Sequence, residues 1–272
     1  MSAPTWRYKY STKTIPPRPW GSTSPHTAPE TEIPMFKVIA FVKRRDGIEI
    51  EEFHDRWRGR HADLIAQSPA TKGLIRYEQS HRSLRDYERE DCPFDGMATQ
   101  WYESWDAFID MYSDTEYQAT VGADENDLFD QKALVAVFTE VEDVIVERPE
   151  GLTAPYTRLC CAVRRKPGME IEEFHTYWLE EHGPLNRDDA DIRKFFLAYE
   201  QNHRMRSDYA RKDCDVDGVT IQTFASARDF YAMALDPIYA ERIHPDELKF
   251  LARDNLIWLL TDAEEVILDR RS

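Results

Sequence analysis

The sequence is short of the residues that several common chemistries require. Glycine supplies ten of 272 residues, and none of them sits in a phosphate-cradling loop or a GxSxG elbow. Four cysteines form no CxxC pair and no cluster with metal-ligand spacing, so reduced thiols in an intracellular, cytoplasmic protein account for them most simply. No run of 18 apolar residues occurs, and the opening MSAPTWRYKY lacks the apolar core of a signal peptide; no membrane partner is expected. Basic residues are outnumbered 35 to 51, which gives a net charge of −16. Holding a polyanion takes clustered Lys and Arg, so nucleic acid is not an expected partner either.

What the chain does have is proline at one end and a repeat everywhere else. Residues 1–34 hold seven of the fifteen prolines and read as an extended Pro-rich arm, with Trp6, Tyr8, Tyr10 and Trp20 as aromatic handles. Beyond it, one unit is written twice. Ile50–His61 reads IEEFHDRWRGRH and Ile171–His182 reads IEEFHTYWLEEH, an offset of 121. Tyr77-Glu78-Gln79-Ser80-His81-Arg82 returns as Tyr199-Glu200-Gln201-Asn202-His203-Arg204 at an offset of 122, which then holds to the end. The expected domains are residues 35–152 and 153–272.

Each unit reads as β-α-β-β-α-β. Phe36–Lys43 is a Val/Ile-rich strand and Ile50 to Gln67 a helix. Leu74–His81 and Met97–Tyr102 are further strands, and Ser104 caps a second helix to about Tyr112, with Ser226 as its counterpart. Leu134–Ile145 is expected to close the unit as one strand. A ferredoxin-like sheet of this kind leaves one apolar face bare, and burying it is worth ~25 cal/mol per Å². The fold class is therefore α+β: two ferredoxin-like repeats packed sheet-to-sheet as a pseudo-dimeric barrel within one chain. A homodimer of whole chains remains open.

At 100° per residue, Phe53, Trp57, Ile50, His61 and His54 fall within about 100° of each other, opposite Glu51, Glu52, Asp55 and Arg56. Both histidines thus lie on the sheet-facing stripe, as do His175 and His182 beside Trp178 in the second unit. Six of the eight histidines form repeat-matched pairs: His54/His175, His61/His182 and His81/His203. Imidazole is costly to bury unless hydrogen-bonded, so these residues either tie helix to sheet or carry chemistry. His54 and His61 are ~10 Å apart along the helix, too far for one zinc but suited to flanking a small ring-shaped molecule. No metal site is expected.

On the second strand Tyr77, Gln79 and His81 alternate with Glu78 and Ser80, as Tyr199, Gln201 and His203 do with Glu200 and Asn202. The face turned to the helices is not decided by the alternation. Tyr and His there would serve acid-base work; Glu78 and Glu200 there would orient the helical histidines.

Phe53-His54-x-x-Trp57-x-x-x-His61 and Phe174-His175-x-x-Trp178-x-x-x-His182, each between a Val/Ile-rich and a Tyr-containing strand, resemble the EthD-like family of the dimeric α+β barrel superfamily. The resemblance runs from about residue 35 onward, twice. It implies a helix–sheet cavity in each half for a hydrophobic, ring-containing small molecule. It also implies His54, His61, Tyr77, His81, His175, His182, Tyr199 and His203 as catalytic candidates. Trp57, Trp178, Glu78, Glu200, Gln79 and Gln201 become substrate-contact candidates. The expected activity is cofactor-independent acid-base chemistry: dehydration, decarboxylation, cyclisation or isomerisation. The alternatives are an oxidoreductase, either a cofactor-free monooxygenase or a haem protein with His61 or His182 as axial ligand, and a non-catalytic binding protein. The halves differ at His61-Ala62-Asp63-Leu64 against His182-Gly183-Pro184-Leu185, at Trp101/Thr223, Trp105/Ala227 and Ala136/Trp258. One half is therefore expected to be able to lose activity while keeping the fold.

Overall fold

The computed structural model describes residues 35–271; the Pro-rich arm expected over 1–34 lies outside the described residues. Each half follows the expected order. In the first, β1 (Phe36–Val42) leads to a helical run made of α1 (Ile50–Arg56), a π-turn (Trp57–His61) and α2 (Ala62–Gln67). Then come β2 (Leu74–His81), β3 (Gly96–Tyr102) and α3 (Trp105–Ser113). Ser104 caps α3 by accepting from the Ala107 N–H at 3.1 Å, and Ser226 repeats this towards Asp229 at 3.4 Å. The second half contributes β6 (Thr157–Val163), α5 (Ile171–Tyr177), a π-turn (Trp178–His182), α6 (Gly183–Asp188) and α7 (Ala190–Arg193). It continues with β7 (Ala198–His203), β8 (Gly218–Phe224) and α8 (Ala227–Leu235).

Two expectations need correction. The sequence between α3 and the last strand carries α4 (Thr115–Leu128), whose N-cap Asp114 accepts from the Tyr117 N–H at 2.8 Å. Its weakly patterned sequence hides a face that buries Tyr117, Val121 and Leu128. The matching segment of the second half ends in α9 (His244–Phe250). Secondly, Leu134–Ile145 is two strands, β4 (Val135–Thr139) and β5 (Asp143–Val146). The break falls at the polar stretch around Glu140 and Glu142, and beyond it the chain leaves its own sheet.

That break exchanges strands between halves. β5 pairs with β7 of the second half (Val144 opposite Glu200), and β10 (Glu265–Asp269) pairs with β2 of the first (Val266 opposite Glu78). The sheets run β10-β2-β3-β1-β4 and β5-β7-β8-β6-β9, β9 being Ile257–Thr261. Bridges at Arg82–Thr261 and Thr139–Arg204 join the sheets at two corners. The apolar faces meet as predicted: Ile39, Phe41, Met97 and Val137 share one buried cluster with Cys160, Ala162, Val219 and Leu259. At one end of this interior the buried Lys37 lies 2.9 Å from Glu142 and 3.9 Å from Glu200 of the other half. Arg158 mirrors it, 3.1 Å from Glu264 and 3.8 Å from Glu78. Lys37–Glu200 and Arg158–Glu78 thus run between the halves, and buried ion pairs of this sort are weak evidence of net stabilisation.

Candidate active site

The helix that carries the motif is wound wider at Trp57–His61 and at Trp178–His182, the same single π-turn in both halves. Such turns displace side chains from the α-helical register and recur at functional sites. Phe53, His54, Trp57 and His61 are all buried against the sheet, as their spacing predicts. Trp57 reaches deep because position 96 is glycine: a Cβ there would lie 2.4 Å from the indole, and at Gly218 2.5 Å from that of Trp178.

The strand's face is now settled. Tyr77, Gln79 and His81 look towards the helix, and Glu78 looks into the barrel. The Trp57 indole N–H donates to Tyr77 Oη at 3.1 Å, and the Gln79 amide donates to the same oxygen at 3.1 Å and to the Trp57 carbonyl at 2.9 Å. Gln79 Oε1 then meets His81 Nε2 at 3.1 Å, His81 Nδ1 meets His54 Nδ1 at 2.8 Å, and His54 Nε2 meets Tyr87 Oη at 3.0 Å. Tyr87 reaches Asp95 Oδ1 at 2.8 Å, and Asp95 also takes the Arg44 backbone N–H and guanidinium. The second half repeats the whole chain through Gln201, His203, His175, Tyr209 and Asp217, with His203 and His175 2.6 Å apart.

Both ends of this chain are acceptors, a pinned amide oxygen and a carboxylate, and four contacts lie between them. With both imidazoles neutral, they and the hydroxyl provide three protons for the four contacts, so one contact carries no proton. Burial holds the pair neutral: it pulls His54 down to about 4 and, with the neighbouring His54, pulls His81 down to about 2. His54 and His81 therefore have no nitrogen free for a substrate and bind α1 to β2 instead.

His61 is different. Its Nδ1 lies 3.0 Å from Asp124 Oδ2 on α4, and Arg60 flanks the other carboxylate oxygen at 3.2 Å. Burial opposes ionisation of Asp124, but His61 and Arg60 outweigh it and hold the carboxyl below its usual range. An Asp on Nδ1 sets the tautomer that leaves Nε2 as the basic nitrogen. Among the described residues His61 Nε2 has no hydrogen-bond partner. His182 is also anchored, on Asp246 at 2.8 Å, but Asn186 Nδ2 donates to its Nε2 at 3.1 Å. Ile65 stands where Asn186 does, so only the first half leaves the nitrogen open. On the strand that this helix covers, Tyr77 Oη accepts two N–H groups, while no acceptor for its own proton occurs among the described residues. Burial raises the Tyr77 pKa, which keeps the hydroxyl a donor.

Glu78 and Glu200 lie on the opposite face and do not orient the histidines. They line a cleft of about 280 Å³ at the barrel's charged end, with Arg76, Trp101, Arg158 and Glu264. Burial raises the Glu78 carboxyl against the pull of Arg158 and Arg76. Trp57, Trp178, Gln79 and Gln201 are spent on the hydrogen bonds that seat Tyr77 and Tyr199. Asp124, Asp246, Tyr87 and Tyr209 were not among the expected site residues. The signal existed: Asp124-Glu125 recurs as Asp246-Glu247 at the offset of 122. His182 does not fit as a haem ligand, since both of its nitrogens are committed. The His61 ring packs edge-on against Phe129 at 5.4 Å. Among the described residues no group of three or more His, Cys, Asp or Glu is arranged to hold a metal ion. No helix among them is long and apolar enough to cross a membrane.

Comparison with known proteins bears on fold and family. The structure superposes on an anthrone oxidase-like protein with a TM-score of 0.58 at 8% identity, covering 88% of this chain and 95% of that one. A candidate monooxygenase from Fusobacterium nucleatum gives 0.52 at 8% identity, with 86% and 94% covered. A chlorite dismutase variant from Candidatus Nitrospira defluvii gives 0.48 at 13%, with 85% and 92% covered. No curated protein matches the chain in sequence. The model of the EthD domain matches residues 45–132 and again residues 166–254, spanning both helical motifs and both strands that face them. The chain therefore belongs to the EthD-domain family and carries the domain twice.

Proposed function

We propose that the protein is an oxidoreductase acting on a small hydrophobic, ring-containing molecule, with its working site in the first half. His61 Nε2 takes a proton from the substrate, and Tyr77 donates to the oxygen on which negative charge develops. Asp124 holds the imidazole in the tautomer this needs. The resulting carbanion bonds to dioxygen, His61 returns its proton to the peroxide so formed, and O–O cleavage with loss of water leaves a ketone, one dioxygen being reduced per substrate; no resident cofactor enters these steps. The small molecule is the partner, and each chain supplies its site without a second copy.

The observation that carries the reading is the asymmetry at one nitrogen: open at His61, capped by Asn186 at His182. The edge of this layer at Tyr112 and Glu125 is only half-buried, which gives a substrate a way in. The architecture shared with an anthrone oxidase-like protein and a candidate monooxygenase supports oxidation over the dehydration, decarboxylation, cyclisation or isomerisation that the same proton transfer could begin.

Dioxygen uptake with anthrone as the probe tests this. His61→Gln is expected to lower kcat by about 10²–10⁴-fold, the usual worth of a positioned base, while His182→Gln keeps most of the activity. Product formation without dioxygen uptake would return the reaction to the lyase or isomerase class. Equal effects of the two substitutions would overturn the assignment to the first half.

A further inference from the structure

The halves also differ around Glu125. In the second half the matching carboxylate, Glu247, is neutralised: Arg253 forms an ion pair with Oε2, and the Tyr239 hydroxyl donates to the same oxygen at 2.9 Å. Arg253 is replaced by Gln131 in the first half, whose amide turns away to the Glu125 backbone carbonyl at 3.0 Å. Among the described residues Glu125 has no ion pair, and its carboxyl meets only the Tyr117 hydroxyl at 3.4 Å. Burial pushes that carboxyl up, with the nearby His61 opposing. The wall beside it changes in step. Tyr102 and Tyr112 both donate to Gln100 Oε1, at 2.9 and 3.5 Å, where the second half has Phe224 and Ala234.

We propose that Glu125 is a specificity residue of the first-half site and accepts a hydrogen bond from a second hydroxyl on the substrate ring, so that the substrate class is a dihydroxylated aromatic. This rests on reading the first half as the working site. An ionic partner is what the second half gives its carboxylate; the first half withholds one and lines the approach with tyrosine hydroxyls. A carboxyl whose one protein donor is the Tyr117 hydroxyl at 3.4 Å keeps acceptor capacity for a ligand, and leaving that capacity unmet when the ligand lacks a hydroxyl is what creates discrimination.

Binding of 2-naphthol and 2,6-dihydroxynaphthalene, followed by quenching of tryptophan fluorescence, reads this without any turnover. The wild type is expected to bind the diol at least about tenfold more tightly, the scale of one hydrogen bond to a charged or strongly polar group. Gln131→Arg, which installs the second half's cation, should erase the preference and leave 2-naphthol binding nearly unchanged; Glu125→Leu should erase the preference as well. Near-ultraviolet circular dichroism confirms that each variant is folded. Equal affinity in the wild type, no binding of either probe, or a preference that survives both substitutions would overturn the proposal. A diol preference that holds where anthrone draws no dioxygen uptake would sink the oxidoreductase reading and leave this one standing.

Discussion

At the scale of single residues, six paired histidines separate into two kinds. Four of them, His54, His81, His175 and His203, spend both nitrogens within the protein and are held neutral by burial. His61 and His182 are anchored on a carboxylate at Nδ1, and the chemistry is decided by what faces Nε2. The neutral pairs have a consequence for stability. His54 titrates at about 4 in the folded chain against 6.5 in the unfolded one. Between those values the unfolded chain binds a proton that the folded chain does not, so stability rises with pH across the window and is flat above about 6.5. His54 alone is worth ~3 kcal/mol over that span. The urea midpoint should therefore fall between pH 7 and pH 5, before the acidic groups held at about 2, Glu264 and Asp246, are reached. His54→Asn should flatten the fall; a wild-type midpoint unchanged from pH 7 to pH 5 would show that the pair is not neutral in the fold.

At the scale of elements, the helix-plus-strand unit is the part that local sequence specifies best. The alternation of Tyr77, Gln79 and His81, and the clustering of Phe53, His54, Trp57 and His61 on one stripe, both match the observed burial. The π-turn was not readable, because nothing in WRGRH or WLEEH breaks an α-helical pattern. Nor was α4, whose apolar positions are too sparse to mark a face; it brings Asp124 to His61 only through tertiary packing. The Asp-Gly signature before β3 is explained at this scale. Asp95 takes the Arg44 N–H and the Tyr87 hydroxyl, and Gly96 lets Trp57 close on the strand. Gly96→Ala places a methyl group 2.4 Å from the indole and 2.7 Å from the Ser80 carbonyl. Overpacking of this kind should cost about 1–3 kcal/mol, read as a lower Tm, and Gly47→Ala provides the contrast of strain without a clash. A Tm unchanged in Gly96→Ala would mean that Trp57 does not depend on that approach.

At the scale of the whole molecule, duplication was plain from the offset of 122, and the sheet-to-sheet barrel followed from the bare face of each unit. The exchange of β5 and β10 did not follow, because the pairing of an edge strand depends on a partner distant in sequence: Asp143 pairs with Gln201, and Glu265 with Gln79. Exchange makes each half incomplete: residues 35–152 alone would lack β10 against β2 and would expose the interior around Ile39, Phe41 and Met97. Expressed alone, that segment should elute as a dimer or aggregate rather than as a folded monomer; a stable monomer by size-exclusion chromatography would contradict the exchange.

The duplication also gave the molecule two versions of one site, and they have diverged at the nitrogen that matters. Ile65→Asn carries the second half's cap into the first, where it should place an amide on His61 Nε2 as Asn186 places one on His182. Steady-state dioxygen uptake with anthrone, measured for this variant beside the wild type, tests the central claim. The account predicts that uptake falls by at least about tenfold, the effect of one added hydrogen bond to the base, with the fold intact. Unchanged uptake in a folded Ile65→Asn protein would contradict it.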